Sequence, residues 1–171
     1  MQEFRRITGV FLGGFCFAAA LGASSDAHGV SIQEKYAGAF CTPINSGEAS
    51  SFVFNTNGVF NTHQVDDLTV TCPVKTEHNR AITWARVNGW QNDGNPKHAS
   101  ARWCFADELS TTTGCGPLKA SSGLVGNYFM NIDVSVSDPM DYNFLSVTIP
   151  GGPNAGSSSL RGYIVGVAEP I

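Results

Sequence analysis

Along most of this chain apolar and polar residues alternate one for one, the period of a strand with one buried face. The clearest run is YFMNIDVSV. Tyr128, Met130, Ile132, Val134 and Val136 fall on one side, and Phe129, Asn131, Asp133 and Ser135 on the other. A helix would scatter both sets around its axis, whereas a strand separates them. LTVTCPV sets Leu68, Val70 and Cys72 against Thr69 and Thr71. AITWARV groups Ile82 with Trp84, against Thr83, Ala85 and Val87, and ARWCFA alternates Trp103 and Phe105 with Arg102 and Cys104. FLSVTI aligns Leu145, Val147 and Ile149, and RGYIVGV aligns Tyr163, Val165 and Val167. SFVFNTNGVFN reads as a hairpin turning at Asn57-Gly58, a pair suited to a type I′ turn.

With YAGAFC, the pattern predicts about nine short strands. Polar turns separate them (QNDGNP, TTTGCGP, SDPMD, IPGGPNAGSSS), and no crossover helix lies between. The expected fold is therefore all-β, an antiparallel β-sandwich with one wet face per sheet. No linker and no repeat divides residues 28–171, so they read as a single domain. A domain of this size buries about two-thirds of the surface its unfolded chain exposes.

The first residues place the protein outside the cytoplasm. Arg5 and Arg6 precede an uncharged apolar run, Ile7 to Ala23, and small residues follow. This is the build of a secretory signal peptide over residues 1–27, with Ser25-Asp26-Ala27 before a mature start at His28 and Ala23 as the other candidate cleavage point. A membrane anchor would need about 20 apolar residues, and this shorter run contains four glycines. Phe15 is too bulky for a lipoprotein box at Cys16. After cleavage no stable membrane insertion is expected.

Four cysteines remain: Cys41, Cys72, Cys104 and Cys115. An even number in an exported domain predicts two disulfides. Three pairings are arithmetically open. Cys41–Cys72 with Cys104–Cys115 joins segments that can be neighbours, and such closures would contribute about 4 and about 3 kcal/mol by chain entropy. Cys41 and Cys72 each end an apolar segment just before a proline expected to stop the ladder. The alternatives are free buried thiols or zinc, and the set lacks the C-x-x-C pair typical of zinc sites.

The motifs Tyr36-x-Gly38-x-Phe40-Cys41-x-Pro43, Cys72-Pro73 and Gly162-Tyr163 before Glu169 resemble those of a loose group of small secreted bacterial proteins of unknown function. The likeness covers the two ends better than the middle. Group members often carry a cysteine where this chain has Ser146-Val147. The resemblance implies a β-sandwich-like domain and supplies no activity.

Candidate chemistry is sparse. The sequence contains no G-x-S-x-G, H-E-x-x-H or phosphate-loop motif, and the Gly-rich GGPNAGSSS lacks a lysine and precedes a strand. The net charge is −4, without a basic cluster, so nucleic acid is not an expected partner. Of His28, His63, His78 and His98, only His63 has acids close by, Asp66 and Asp67; a solvated loop explains them as well as an acid–base pair. Asn92 to Asn95 has the composition of a calcium loop without its spaced carboxylates, so a hairpin turn is the simpler reading. No cofactor or metal is expected.

Trp84 and Trp103 are expected in the core. Trp90, in the polar stretch NGWQNDGNPKH, reads either as a lid on the sheet edge or as a ligand-facing ring with Asn92 and Asp93 as polar partners. The resulting expectation is an exported, non-enzymatic module in the periplasm, at the cell surface or in the medium. Its partner would be a carbohydrate or another envelope protein. A fimbrial or coat-like subunit and a hydrolase without a recognised motif are the alternatives.

Overall fold

The computed structural model describes residues 31–75, 80–92, 97–107, 112–134, 142–152 and 157–168. The signal-peptide segment, Asp93 to Pro96, Pro153 to Gly156 and His78 lie outside them. The strands are β1 (Ser31–Ala37), β2 (Thr42–Pro43), β3 (Phe52–Asn55), β4 (Gly58–Asn61), β5 (Leu68–Pro73) and β6 (Ile82–Gln91). They continue with β7 (Ser100–Ala106), β8 (Thr113–Cys115), β9 (Lys119–Ala120), β10 (Gly126–Ile132), β11 (Tyr142–Ile149) and β12 (Ser158–Ala168). Among the described residues there are three more strands than the alternation predicts. The additions, β2, β8 and β9, are two or three residues long, too short to show a period.

Two antiparallel sheets result. The first runs β10-β6-β12-β4-β3, with β1 pairing β12 beside β4; the second runs β2-β5-β11-β7-β8, with β9 also on β7. The alternation decides what lies between them. Val87, Met130, Tyr163, Val165 and Val167 of the first sheet share one buried cluster with Val70, Trp103, Leu145, Val147 and Ile149 of the second. Trp103 has no exposed surface, and its Nε1–H donates to Asn143 Oδ1 at 3.1 Å, so its one polar group is satisfied.

The N-terminal segment departs from expectation. YAGAFC is not one strand: β1 stops at Ala37, and a 3-10 turn over Gly38–Phe40 carries the chain towards the second sheet. Gly38 is needed there, because a Cβ would lie 2.3 Å from Leu160 O. The prolines are the last residues of β2 and β5, as expected, and each is itself a register position. Pro43 pairs with Val70 and Pro73 with Phe144. One further backbone hydrogen bond follows each, from Ile44 N–H to Thr69 O and from Val74 N–H to Asn143 O, both at 3.1 Å. Proline removes one donor, and its neighbour supplies the next.

The β3–β4 hairpin is also displaced by one residue. Thr56 and Asn57 form the turn, and Asn55 pairs with Gly58. The Asn57 N–H donates to Asn55 Oδ1 at 2.8 Å. Gly58, at φ 127°, serves a close approach instead, since a Cβ would sit 2.1 Å from Leu160 O.

Both disulfides are present, Cys41–Cys72 and Cys104–Cys115. The first anchors the landing of the sheet-to-sheet crossing on β5, and the second clips β8 to β7 at a register pair. Tyrosines reinforce the same end. Tyr36 and Tyr163 stack at 4.8 Å, and Tyr163 donates to Pro73 O across the sheets at 2.5 Å.

Replacing Cys41 and Cys72 together by Ala is expected to lower unfolding free energy by about 4 kcal/mol, against about 3 for Cys104 and Cys115. Urea titrations of the two double variants compare them. A second prediction concerns alkali. Burial pushes the phenols of Tyr36, Tyr128 and Tyr163 well above their ordinary range, and for Tyr36 the nearby Glu34 adds to it. The folded state therefore holds protons that the unfolded chain releases above about pH 10. Stability should be intact below that pH and fall above it. Urea midpoints measured from pH 8 to pH 11.5 alongside tyrosinate absorbance check the sign; a flat profile would contradict it.

Candidate functional site

The ladder between β6 and β12 contains two irregularities, and both shape the outer face of the first sheet. Near one end, Gly166 pairs with Trp84 while Val167 pairs with Ile82, leaving Thr83 as an extra residue. This bulge reverses the parity of β6. Ile82 and Ala85 both face the core, and Trp84 turns outward, half-buried. The core position expected for Trp84 is thus corrected: a bulge changes which side chains share a face, and strict alternation cannot register it. Gly166 makes the outward position workable. The indole lies across it, and a Cβ there would be 2.1 Å from Nε1.

Near the other end, Leu160 pairs with Gly89 and Gly162 with Asn88, so Arg161 is the extra residue. Leu160 and Tyr163 then both point inward, and Arg161 is left on the outside. Its guanidinium sits over the Trp90 ring, 5.7 Å from the centroid, and donates from Nη1 to Asn127 Oδ1 at 2.9 Å. The arrangement recurs lower on the sheet. Arg86 lies 5.9 Å from the Trp84 ring centroid and donates from Nε to Asn131 Oδ1 at 3.0 Å. Between these Trp–Arg–Asn units, Asn88 pairs with Phe129, which is 69% exposed.

Trp90 is not in a loop, as its polar surroundings suggest. It belongs to β6, paired with Asn127 and Ser159. The polar composition misleads because Gln91, beside it, is buried and satisfied. Its Nε2 donates to Lys97 O at 2.9 Å, and its Oε1 accepts from Ser121 Oγ at 2.7 Å. Of the polar partners expected for Trp90, Asn92 spends its backbone N–H on Ser158 Oγ, and Asp93 lies outside the described residues. Arg161 and Asn127 are instead the polar groups at the ring. Sequence reasoning missed them and the second unit. The signal available was the amide and aromatic content of the polar face of β10, Asn127, Phe129 and Asn131.

His63 and its acids are arranged differently. Buried Asn61 donates to Asp66 O and Ile149 O, both at 2.9 Å, and accepts the His63 N–H at 2.8 Å. His63 Nδ1 accepts the Asp66 N–H at 2.9 Å, which puts the ring proton on Nε2 and makes the imidazole a turn cap. Asp67 pairs with Lys97 at 3.0 Å. The Asp66 carboxylate lies 3.4 Å from the same His63 Nδ1 at an exposed turn, so the two acids are engaged by different partners. Among the described residues no group of three His, Cys, Asp or Glu is placed to hold a metal ion.

One atom under the face is unmatched. Ser159 is wholly buried opposite Trp90, and its Oγ has no hydrogen-bond partner among the described residues. An unpaired buried hydroxyl carries an uncompensated desolvation cost. Ser159→Ala is therefore expected to raise stability by about 1 kcal/mol, read as a higher urea midpoint at unchanged slope. A lower midpoint would show that the hydroxyl has a partner in solution.

No family model matches the chain, and no curated protein does. Among solved structures, a xylan-binding module CBM15 matches with a TM-score of 0.47 and 15% identity, covering 84% of this chain and 99% of that chain.

Proposed function

We propose that this protein is an exported, non-enzymatic carbohydrate-binding domain that holds a polysaccharide along the outer face of its first sheet. The observation that carries the reading is the pair of Trp–Arg–Asn units flanking exposed Phe129. Sugar rings present apolar C–H faces and a girdle of hydroxyls, so they are met by aromatic rings interleaved with amide and guanidinium donors. Trp84 and Trp90 are six positions apart on one strand, about 20 Å at 3.3 Å per residue. That length suits an extended chain better than a single small sugar. The groups stand on paired strands and little ordering is left for the ligand to impose, which favours affinity.

Two disulfides support the exported reading, since such bonds persist in oxidising surroundings. Among the described residues no helix is long and apolar enough to cross a membrane. The filled core favours a binding module over a coat-like subunit completed by a neighbour's strand. Core positions on both sheets are at or near zero exposure, each covered by the protein's own strands.

The test is affinity electrophoresis of the mature protein against a panel of neutral β-linked polysaccharides. Trp84→Ala and Trp90→Ala should each weaken retention by about tenfold or more, as buried aromatic anchors do. Equal retention of wild type and both variants, or none of any, would overturn the reading. Circular dichroism of each variant separates lost binding from lost fold.

A further inference from the structure

The second sheet has a different outer face, and it carries a groove of about 460 Å³. Its floor consists of side chains that alternate with the core residues of β5, β11 and β7. Thr148 on β11 pairs with Thr69 on one side and Ser100 on the other, giving a row of three hydroxyls across three strands. Thr69 and Thr148 are bonded to each other at 3.0 Å. One step along, Ser146 sits between Thr71 and Arg102. With strands about 4.8 Å apart, each row spans about 10 Å.

The walls are apolar at their lips and charged within. Ile44, 53% exposed, rises on the β2 side, and Leu118, 62% exposed, beyond β7. The Ile44 wall is anchored by its N–H to Thr69 O. Glu48 also lines the groove, and the Asn45 amide donates to its Oε1 at 2.9 Å, which holds the carboxylate in place. Asp67 is neutralised by Lys97. Arg102 has no hydrogen-bond or ion-pair partner among the described residues.

From this donor set we infer that the groove is a second binding site, for a sugar bearing a carboxylate, of the uronic acid class. A planar guanidinium with both edges available takes a carboxylate bidentately. The hydroxyl rows and Glu48 pair with ring hydroxyls, and Ile44 and Leu118 cover an apolar sugar face. A neutral sugar would leave Arg102 without its anion. A carboxylate on a peptide would leave the hydroxyl floor unused. The chain's net charge of −4 repels anions at long range, so recognition must come from this local fork. The site lies on the sheet opposite the Trp84–Trp90 face, and its test is independent of that one.

The experiment is calorimetric titration of the mature protein with oligogalacturonate, its methyl ester, a neutral xylo-oligosaccharide and a triglutamate peptide. Oligogalacturonate should bind, and both Arg102→Gln and methyl esterification should weaken it roughly tenfold or more, the loss of a charge-assisted pair. Arg102→Lys should recover only part, because a point charge lacks the fork. Ser146→Tyr, which fills the floor, should abolish binding, and Val53→Ala, at an exposed position of β3 outside both faces' binding groups, should leave it unchanged. No binding by wild type, equal binding of acid and ester, or equal binding of the peptide would overturn the inference. So would a Val53→Ala loss matching that of Arg102→Gln.

Discussion

The burial of one face of every long strand is the constraint from which the rest follows. Water is excluded between the sheets because Val, Leu, Ile and Trp recur every second residue, and each fully buried side chain of this kind contributes about 1.5–3 kcal/mol. The same geometry sends every intervening residue outward. The outer faces are therefore free of packing duty, and their composition can answer to something other than stability. One outer face carries indoles, guanidinium groups and amides; the other carries hydroxyls, the carboxylates of Glu48 and Asp67, and the Arg102 guanidinium, unpartnered among the described residues.

Departures from regularity do much of the placing. At Thr83 and at Arg161 one strand of the β6–β12 ladder gains a residue, and each time a large side chain is re-aimed outward. The result is two similar Trp–Arg–Asn units at opposite ends of one strand pair. Gly166 provides the room beneath Trp84. The bulges also serve the core, since they let Ile82 and Ala85, and Leu160 and Tyr163, face inward together.

The covalent and aromatic ties gather where the chain changes sheets. Cys41–Cys72, the stacked Tyr36 and Tyr163, and the bond from Tyr163 to Pro73 hold the crossing. Between the sheets, Gln91 and Asn61 fix loop backbone with buried amides. Such amides look unfavourable in composition, but each satisfies carbonyls or N–H groups that would otherwise be stranded. They also let polar stretches such as NGWQ continue a strand.

The residue pattern alone was enough for the all-β class, for eight of the strands and for the inward set on β5, β10, β11 and β12. Period-two alternation is a local property, and solvent reads it the same way wherever the strand lies. The two cysteine pairs were the favoured option among three for a related reason, since spacing limits which segments can meet. The order of strands, the two bulges and the outward turn of Trp84 required the folded chain, because each depends on which strand lies alongside and in what register. The same holds for Arg161 over Trp90 and for Arg102 beside Ser146. Residues 71 and 44 positions apart meet there only because sheet pairing brings them together, and no local pattern encodes a neighbour so remote.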